Sequence, residues 1–180
     1  MTLQGIRILV IDPSLRSTGF YRSDTNSGGT IDTRKLSHDG ALVAIGAAVR
    51  GLLADTKADL LLLEDYSYSA NSRATTALGE VRGVITFVCK EESDRPIVTV
   101  PVQTWKSKTI GRIKKGSALE KLEYMKQAQL LCRRSFESID EADAFMIFRA
   151  ADYICTYEPK HKLAEKISIA LEAISQGQLI

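Results

Sequence analysis

The chain has 180 residues, of which 44% are hydrophobic and 26% charged, and this is the composition of an ordinary globular protein. No apolar run approaches the length of a membrane span, and residues 1–4 lack the basic and apolar regions of a signal peptide. We therefore expect one domain over residues 1–180, located in the cytoplasm and without a membrane partner.

The net charge of +2 hides an uneven distribution. Ten basic and two acidic side chains lie between Arg95 and Arg134, a local net charge of +8, so the rest of the chain is net acidic. Such an imbalance predicts a polyanionic partner, although a solvated helix face rich in lysine is the alternative.

The three cysteines, Cys89, Cys132 and Cys155, are odd in number and far apart, and they form no CxxC motif. This usage predicts buried or inert thiols in a reducing cytosol.

Two aliphatic runs that end in a carboxylate organise the first third of the chain. Residues 8–11 lead into Asp12 and Pro13, and residues 58–63 lead into Glu64. Both runs predict strands buried on both faces. Parallel neighbours would bring Asp12 and Glu64 to the same edge of the sheet, where two carboxylates repel each other unless a divalent cation neutralises them. The alternative is that Asp12 only caps a turn with Pro13.

Shorter elements fill the space between these strands. We predict a second strand over residues 18–23, a hairpin turn at residues 26–29, a third strand over residues 30–36 and a helix over residues 40–56. Antiparallel strands followed by a strand–helix–strand unit predict a mixed-sheet α/β architecture.

The residues after Glu64 have different expected roles. Asp65 should point to the opposite face of the sheet, because side chains alternate along a strand. Tyr66 and Tyr68 are placed to stack on unpaired bases, or else they only pack at the rim.

A helical pattern over residues 72–90 is interrupted by Gly79 and Gly83, four residues apart on one face. Each glycine costs about 1 kcal/mol relative to alanine inside a helix, so the pair indicates a close approach by another element. That element is either the sheet or the same helix of a second copy.

The basic region begins with a predicted strand over residues 95–100, which Pro101 ends, and a short helix from Gln103. A glycine-bracketed basic loop, residues 111–116, then precedes a helix from Ser117. The loop is suited to phosphate contacts but does not match the nucleotide-binding P-loop pattern.

The next helix, residues 138–157, begins with a capping box formed by Ser138 and Glu141. Asp140 and Asp143 lie on one face of its first turns. The helix dipole accounts for an acid at residue 140, but Asp143 has apolar neighbours, and a metal shared with Asp12 would give it a partner. A last helix covers residues 160–176, and His38 and His161 are expected at the surface.

Five motifs occur in an order that resembles the RuvC Holliday-junction resolvases of the RNase H-like superfamily. The resemblance covers about residues 6–151, and several motifs in one order are far more specific than any one alone. The motifs are Ile11-Asp12-Pro13-Ser14 with Thr18-Gly19, Leu62-Leu63-Glu64, Leu78-Gly79-Glu80-Val81-Arg82-Gly83, Pro101 with Lys106 and Gly111, and Asp140-Glu141-Ala142-Asp143-Ala144.

The resemblance implies a fold and an assembly. It implies an RNase H-like α/β fold, a five-stranded mixed sheet flanked by helices. It also implies a homodimer formed through the helix that contains Gly79 and Gly83.

The resemblance also implies the site residues. The family's four metal-binding carboxylates, which are expected to hold two Mg²⁺ ions with Mn²⁺ as a substitute, fall on Asp12, Glu64, Asp140 and Asp143. A basic active-site position falls on Lys106. The second such lysine is Lys114, Lys115 or Lys121, because the spacing has one residue more than usual. The expected contacts to DNA are Tyr66, Tyr68, Arg73, Lys108, Arg112, Lys114, Lys115 and Lys121.

The implied activity is that of a structure-selective endonuclease. It would resolve four-way or branched DNA by two-metal-ion hydrolysis, leaving 5′-phosphate and 3′-hydroxyl ends. The alternatives are another RNase H-like nuclease acting on hybrids or flaps, and a non-catalytic junction-binding protein. An actin-like sugar or acetate kinase would need two such domains, which 180 residues do not provide.

The sequence departs from the family pattern at two positions. Ser67 stands where the family has an aromatic wedge, so Tyr66 or Tyr68 would have to replace it, and Ser14 stands in place of the usual glycine. These departures indicate a divergent member, with a phage-type enzyme among the options, and they leave open whether it works with a branch-migration motor.

Overall fold

The computed structural model describes residues 2–65, 72–92, 95–109 and 118–177, and for residues 118–124 it describes the backbone only. Its strands are β1 (Ile8–Asp12), β2 (Ser17–Arg22), β3 (Ser27–Asp32), β4 (Leu60–Glu64) and β5 (Ile97–Val100). Its helices are α1 (His38–Thr56), α2 (Ser72–Glu92), α3 (Val102–Thr109), α4 (Ala118–Cys132), α5 (Ile139–Tyr157) and α6 (Lys162–Ser175).

The strands form one mixed sheet in the order β3-β2-β1-β4-β5. Strands β3, β2 and β1 are antiparallel neighbours, whereas β1, β4 and β5 run parallel. The parallel strands need crossover connections, and α1 and α2 provide them. The predicted five-stranded mixed sheet flanked by helices is therefore confirmed.

Each face of the sheet carries its own hydrophobic core. Leu9, Ile11, Leu61 and Leu63 belong to the core beneath α1 and α2. Alternate residues, such as Val10 and Leu62, belong to the other core, which is built mainly with α5 and includes residues of α3 and α6. Because side chains alternate along a strand, the residues that follow Val10 and Leu62 by two positions point toward α3 and α5.

The hairpin between β2 and β3 differs from its prediction. The third strand covers Ser27–Asp32 instead of residues 30–36, so Gly28 and Gly29 lie in the strand and not in the turn. A Cβ on Gly28 would lie 2.5 Å from the carbonyl oxygen of Phe20, and one on Gly29 would lie 2.9 Å from the Phe20 ring. These glycines permit close packing, whereas Asn26 takes the left-handed conformation that the turn requires.

The N-terminus of α5 has the predicted cap and a buried ion pair that was not predicted. The Ser138 hydroxyl accepts the Glu141 N–H at 3.0 Å. The Glu141 carboxylate is buried, accepts the Glu137 N–H at 2.9 Å and pairs with Arg134 at 2.6 Å. This ion pair ties the first turn of α5 to the segment that follows α4.

The cysteines and histidines have structural roles. All three cysteines are buried, as predicted, and burial raises the pKa of Cys89 to about 12 and that of Cys155 to about 11, which disfavours the reactive thiolate. His38 is exposed and hydrogen-bonded to Glu80 at 2.6 Å. His161, expected only at the surface, caps α6 by accepting the Leu163 N–H at 3.1 Å.

None of the described helices combines the length and the apolar character that a bilayer crossing requires.

Candidate active site

Asp12 and Glu64 end adjacent parallel strands at the same edge of the sheet. Ile11 pairs with Leu63 in the β1–β4 register, so the two acids occupy the next step of both strands. Each side chain is half-buried and points toward the layer of α3 and α5. The predicted juxtaposition of Asp12 and Glu64 follows directly from this register.

Helix α5 brings two further acids to this edge because β2 has no side chain at Gly19. Gly19 is the register partner of Asp12. A Cβ on Gly19 would lie 1.9 Å from the carbonyl oxygen of Asp140, so the first turn of α5 rests on the bare backbone of β2. The Ser17 hydroxyl, also on β2, donates to the Asp140 carboxylate.

The pKa of Asp12 is raised by its burial and by the other three predicted acids. Burial raises the pKa of Asp12 well above its ordinary value of 3.8. The charge of Glu64, a hydrogen bond with Glu64 and the charges of Asp143 and Asp140 raise the same pKa further, in that order. Asp12 therefore lies within electrostatic range of the other three predicted carboxylates.

The side chains of the acids are not arranged as a complete set of metal ligands. Within the described part of the chain, no three His, Cys, Asp or Glu side chains lie close enough together to hold one ion. The donor set nevertheless fits a hard divalent cation, since carboxylate oxygens are the ligands that Mg²⁺ and Mn²⁺ favour. A cation would also offset the repulsion that raises the pKa of Asp12.

Trp105 connects α3 to this acidic edge. Its indole N–H donates to Glu64 Oε1 at 2.7 Å, and its ring is 1% exposed. The next residue, Lys106, is exposed, and its ammonium lies 5.1 Å from the centre of the Trp105 ring. An acid and a lysine predicted for the site are thus joined by one aromatic side chain.

The turn after β1 is closed by Thr18. The buried Thr18 hydroxyl donates to the Ser14 carbonyl at 2.6 Å and accepts the Ser14 N–H at 3.2 Å. This pair of bonds fixes the backbone directly after Asp12 and Pro13. Ser14, at the family's glycine position, takes part through its backbone groups.

The remaining predicted site residues have varied placements. Asp65 points to the α2 side, where Arg82 lies 3.9 Å away, as the alternation predicted. Lys108, predicted to contact DNA, pairs with Glu158 at 2.5 Å, and Arg73 is exposed at the start of α2. The predicted residues outside the described side chains are Tyr66, Tyr68, Arg112, Lys114, Lys115 and Lys121.

Three residues at this edge were not identified from the sequence. Trp105 and Ser17 contact the predicted acids, and Arg34 lies within electrostatic reach of Asp140. A signal existed only for Trp105, because a tryptophan beside a predicted active-site lysine needs a partner for its N–H once it is buried.

Comparison with known proteins gives two similar curated sequences. The crossover junction endodeoxyribonuclease RuvC of Azoarcus sp. (strain BH72) is 32% identical over 146 residues, which is 77% of each chain. The protein of the same name from Aromatoleum aromaticum is 31% identical over 151 residues, 79% of each chain. No protein-family model matches the chain.

Solved structures share the fold at much lower identity. Thermus thermophilus RuvC, solved in complex with a Holliday junction substrate, aligns with a TM-score of 0.67 at 12% identity, over 85% of this chain and 97% of that one. The yeast mitochondrial Holliday junction resolvase Ydc2 aligns with a TM-score of 0.56 at 11% identity, over 96% of this chain and 84% of that one. On the strength of the sequence identity to the curated relatives, the chain belongs to the RuvC family of crossover junction endodeoxyribonucleases.

Proposed function

We propose that this protein is a structure-selective endonuclease that resolves four-way DNA junctions by metal-dependent phosphodiester hydrolysis. The proposal is supported by Asp12 and Glu64 ending adjacent strands, with Asp143 and Asp140 within electrostatic range of Asp12, in a member of this family. Open α/β sheets bind their ligands at this edge.

The four carboxylates are the proposed holders of two Mg²⁺ ions. When bound, such ions lower the pKa of a water molecule and stabilise the leaving oxygen of an in-line displacement. The chain supplies Asp12 and Glu64 from the sheet and Asp140 and Asp143 from α5, so the site depends on how α5 is seated against β2.

The cationic side chains at this edge have a separate role. Lys106 and Arg34 are exposed, and the charge of each can offset negative charge on a bound phosphate, in the case of Arg34 when its ion pair with Asp32, at 2.7 Å, opens. Lys106 lies directly after the residue that contacts Glu64, and Arg34 lies within reach of the Asp140 charge. We propose that Lys106 acts in the cleavage step, whereas Arg34 and the basic region of residues 95–134 mainly hold DNA.

Replacing Lys106 with alanine is expected to slow cleavage roughly 100-fold, the usual loss when a group that stabilises transition-state charge is removed. The melting temperature should change little, because the side chain is exposed. The control is Lys162→Ala, which removes an exposed lysine of α6 that lies outside the basic region of residues 95–134. Equal losses of cleavage in the two variants, measured by single-turnover kinetics, would contradict the role of Lys106.

We also propose that the protein acts as a homodimer through α2. A Cβ on Gly83 would have nothing within 4 Å, so no described element of the same chain uses this glycine for close packing. Phe87, one turn further along α2, is 64% exposed. A second copy packed on this face would account for both features and would place two sites on a junction of matching symmetry.

Gly83→Leu should weaken the dimer at least roughly tenfold, a cost of about 1.4 kcal/mol, while the monomer stays folded because the added side chain enters open space. Sedimentation velocity over a dilution series measures this change. Gly51→Leu on α1 is the control, since a Cβ there also has nothing within 4 Å. A Gly83→Leu protein that dimerises like the wild type would exclude this face.

The function is tested by cleavage assays on four labelled substrates: a mobile four-way junction, a flap, an RNA–DNA hybrid and a linear duplex. Each is incubated with Mg²⁺ or with EDTA. We expect paired nicks in the junction, only with Mg²⁺, and products that carry a 5′-phosphate. Preferred cleavage of the hybrid or flap would indicate a different RNase H-like nuclease, and tight junction binding without any nick would indicate a binding protein.

A further inference from the structure

The single tryptophan of the chain occupies a position that packing alone does not explain. Trp105 lies on the two-turn helix α3 and is the largest fully buried side chain of the described chain. A core position can be filled by any large apolar residue, but an indole also brings an N–H that must find an acceptor when it is buried. Here the acceptor is the carboxylate of Glu64.

The choice of donor matters for a proposed metal ligand. Lysine or arginine in this place would neutralise Glu64 and compete with a cation, whereas a neutral N–H restricts the carboxylate without cancelling its charge. The bond involves Oε1 at 2.7 Å, so one of the two carboxylate oxygens of Glu64 is held by the indole. Helix α3 therefore restricts the orientation of the Glu64 carboxylate.

We propose that Trp105 is a positioning residue that holds Glu64 in the orientation required for binding a divalent cation. Partners of metal ligands commonly control affinity in this way, and their loss costs about 10- to 100-fold. This inference rests on the proposed carboxylate metal site. It adds a residue that touches neither the cation nor the DNA and acts through Glu64.

The indole also faces Lys106, so the test must distinguish the effect of the aromatic ring from the effect of the N–H. The Lys106 ammonium lies 5.1 Å from the ring centre, within the range of a cation–π contact. Replacing Trp105 with 3-benzothienylalanine keeps a bicyclic aromatic of nearly the same shape but puts sulfur in place of the N–H. Trp105→Phe is a second variant, which also removes volume from the core.

The matched control is Tyr21→Phe. Tyr21 is 3% exposed, belongs to the same hydrophobic core and donates its hydroxyl to Asn26 at 2.9 Å. The change thus removes one hydrogen-bond donor from a buried aromatic residue that does not contact the predicted acids. It reports what the loss of such a bond does to folding alone.

The experiment measures Mn²⁺ binding by calorimetry in the absence of DNA. The benzothienyl and Phe variants should bind Mn²⁺ at least roughly tenfold more weakly than the wild type, and Tyr21→Phe should bind it normally. In wild-type protein labelled with 5-fluorotryptophan, the single ¹⁹F resonance should shift as Mg²⁺ is added. In the Asp12→Asn protein with the same label, that shift should require more Mg²⁺.

The outcomes distinguish failure of the positioning role of Trp105 from failure of the proposed metal site. A folded benzothienyl variant with wild-type Mn²⁺ affinity would overturn the positioning role and leave the metal site standing. A wild-type protein that binds no Mn²⁺ would overturn the metal site and this inference together. If Tyr21→Phe weakened Mn²⁺ binding as much as the Trp105 variants do, the effect would be one of core packing, and the inference would be wrong.

Discussion

Asp12→Asn should reduce cleavage of a four-way junction at least roughly 1000-fold, a loss of about 4 kcal/mol of transition-state stabilisation. Asparagine keeps the size of the side chain but removes the charge of the acid that lies within electrostatic range of the other three. Junction binding should persist, because phosphate contacts from basic side chains supply most of the affinity. Single-turnover cleavage and equilibrium binding in Ca²⁺ measure the two quantities separately.

The same variant should not be less stable than the wild type when metal is absent. The raised pKa of Asp12 means that the folded state binds this proton more tightly than the unfolded chain does. Stability is therefore lost as the pH rises from 3.8 through the higher folded pKa, and the neutral amide of the variant would not suffer this loss. In EDTA at pH 7, the melting temperature should equal or exceed that of the wild type.

Asp55→Asn is the control for Asp12→Asn, since Asp55 is exposed near the end of α1. Its cleavage rate and its melting temperature should both match the wild type. Two results would contradict the role assigned to Asp12. One is a large fall in the melting temperature of Asp12→Asn, and the other is a loss of affinity for junctions while bound junctions are still cleaved at the normal rate.

Gly19→Ala should have the second-largest effect, because it displaces a whole helix. The new methyl group would lie 1.9 Å from the carbonyl oxygen and 2.4 Å from the carbonyl carbon of Asp140, and backbone cannot yield as a flexible side chain can. We expect a destabilisation of about 3 kcal/mol and a fall in melting temperature of roughly 6–12 °C. The cleavage rate should fall by more than the loss of folded protein would explain, because Asp140 and Asp143 move with α5.

Gly51→Ala is the matched control for this change. Gly51 lies inside α1, and a Cβ there would have nothing within 4 Å. Alanine should stabilise the helix by about 0.4–1 kcal/mol and leave cleavage unchanged. A Gly19→Ala protein with the wild-type melting temperature and full activity would show that α5 does not depend on the bare backbone of β2.

Much of the site could be predicted because it depends on strand ends and helix starts. A buried run followed by an acid fixes the end of β1 at Asp12 and the end of β4 at Glu64, and the capping signal at Ser138 fixes the start of α5. Alternation along β4 also predicted that Asp65 faces away from the site. Each of these predictions uses only residues that are close together in the sequence.

What could not be predicted depends on contacts between separate elements of the fold. Residues 26–29 have the composition of a turn, yet Gly28 and Gly29 are needed where β3 packs against β2. The bond from Trp105 to Glu64 joins residues 41 positions apart, and the ion pair of Arg134 with the buried Glu141 joins the segment after α4 to the first turn of α5. No local pattern encodes these distances.

The central claim is that Asp12, Glu64, Asp140 and Asp143 together hold the divalent cations. Crystals grown or soaked with Mn²⁺, with anomalous diffraction recorded at the manganese edge, test it most directly. We predict anomalous peaks at the carboxyl edge of the sheet, with oxygens of Asp12, of Glu64 and of at least one of the two α5 acids within about 2.2 Å of a manganese ion. Saturating Mn²⁺ with no peak between these side chains would contradict the account.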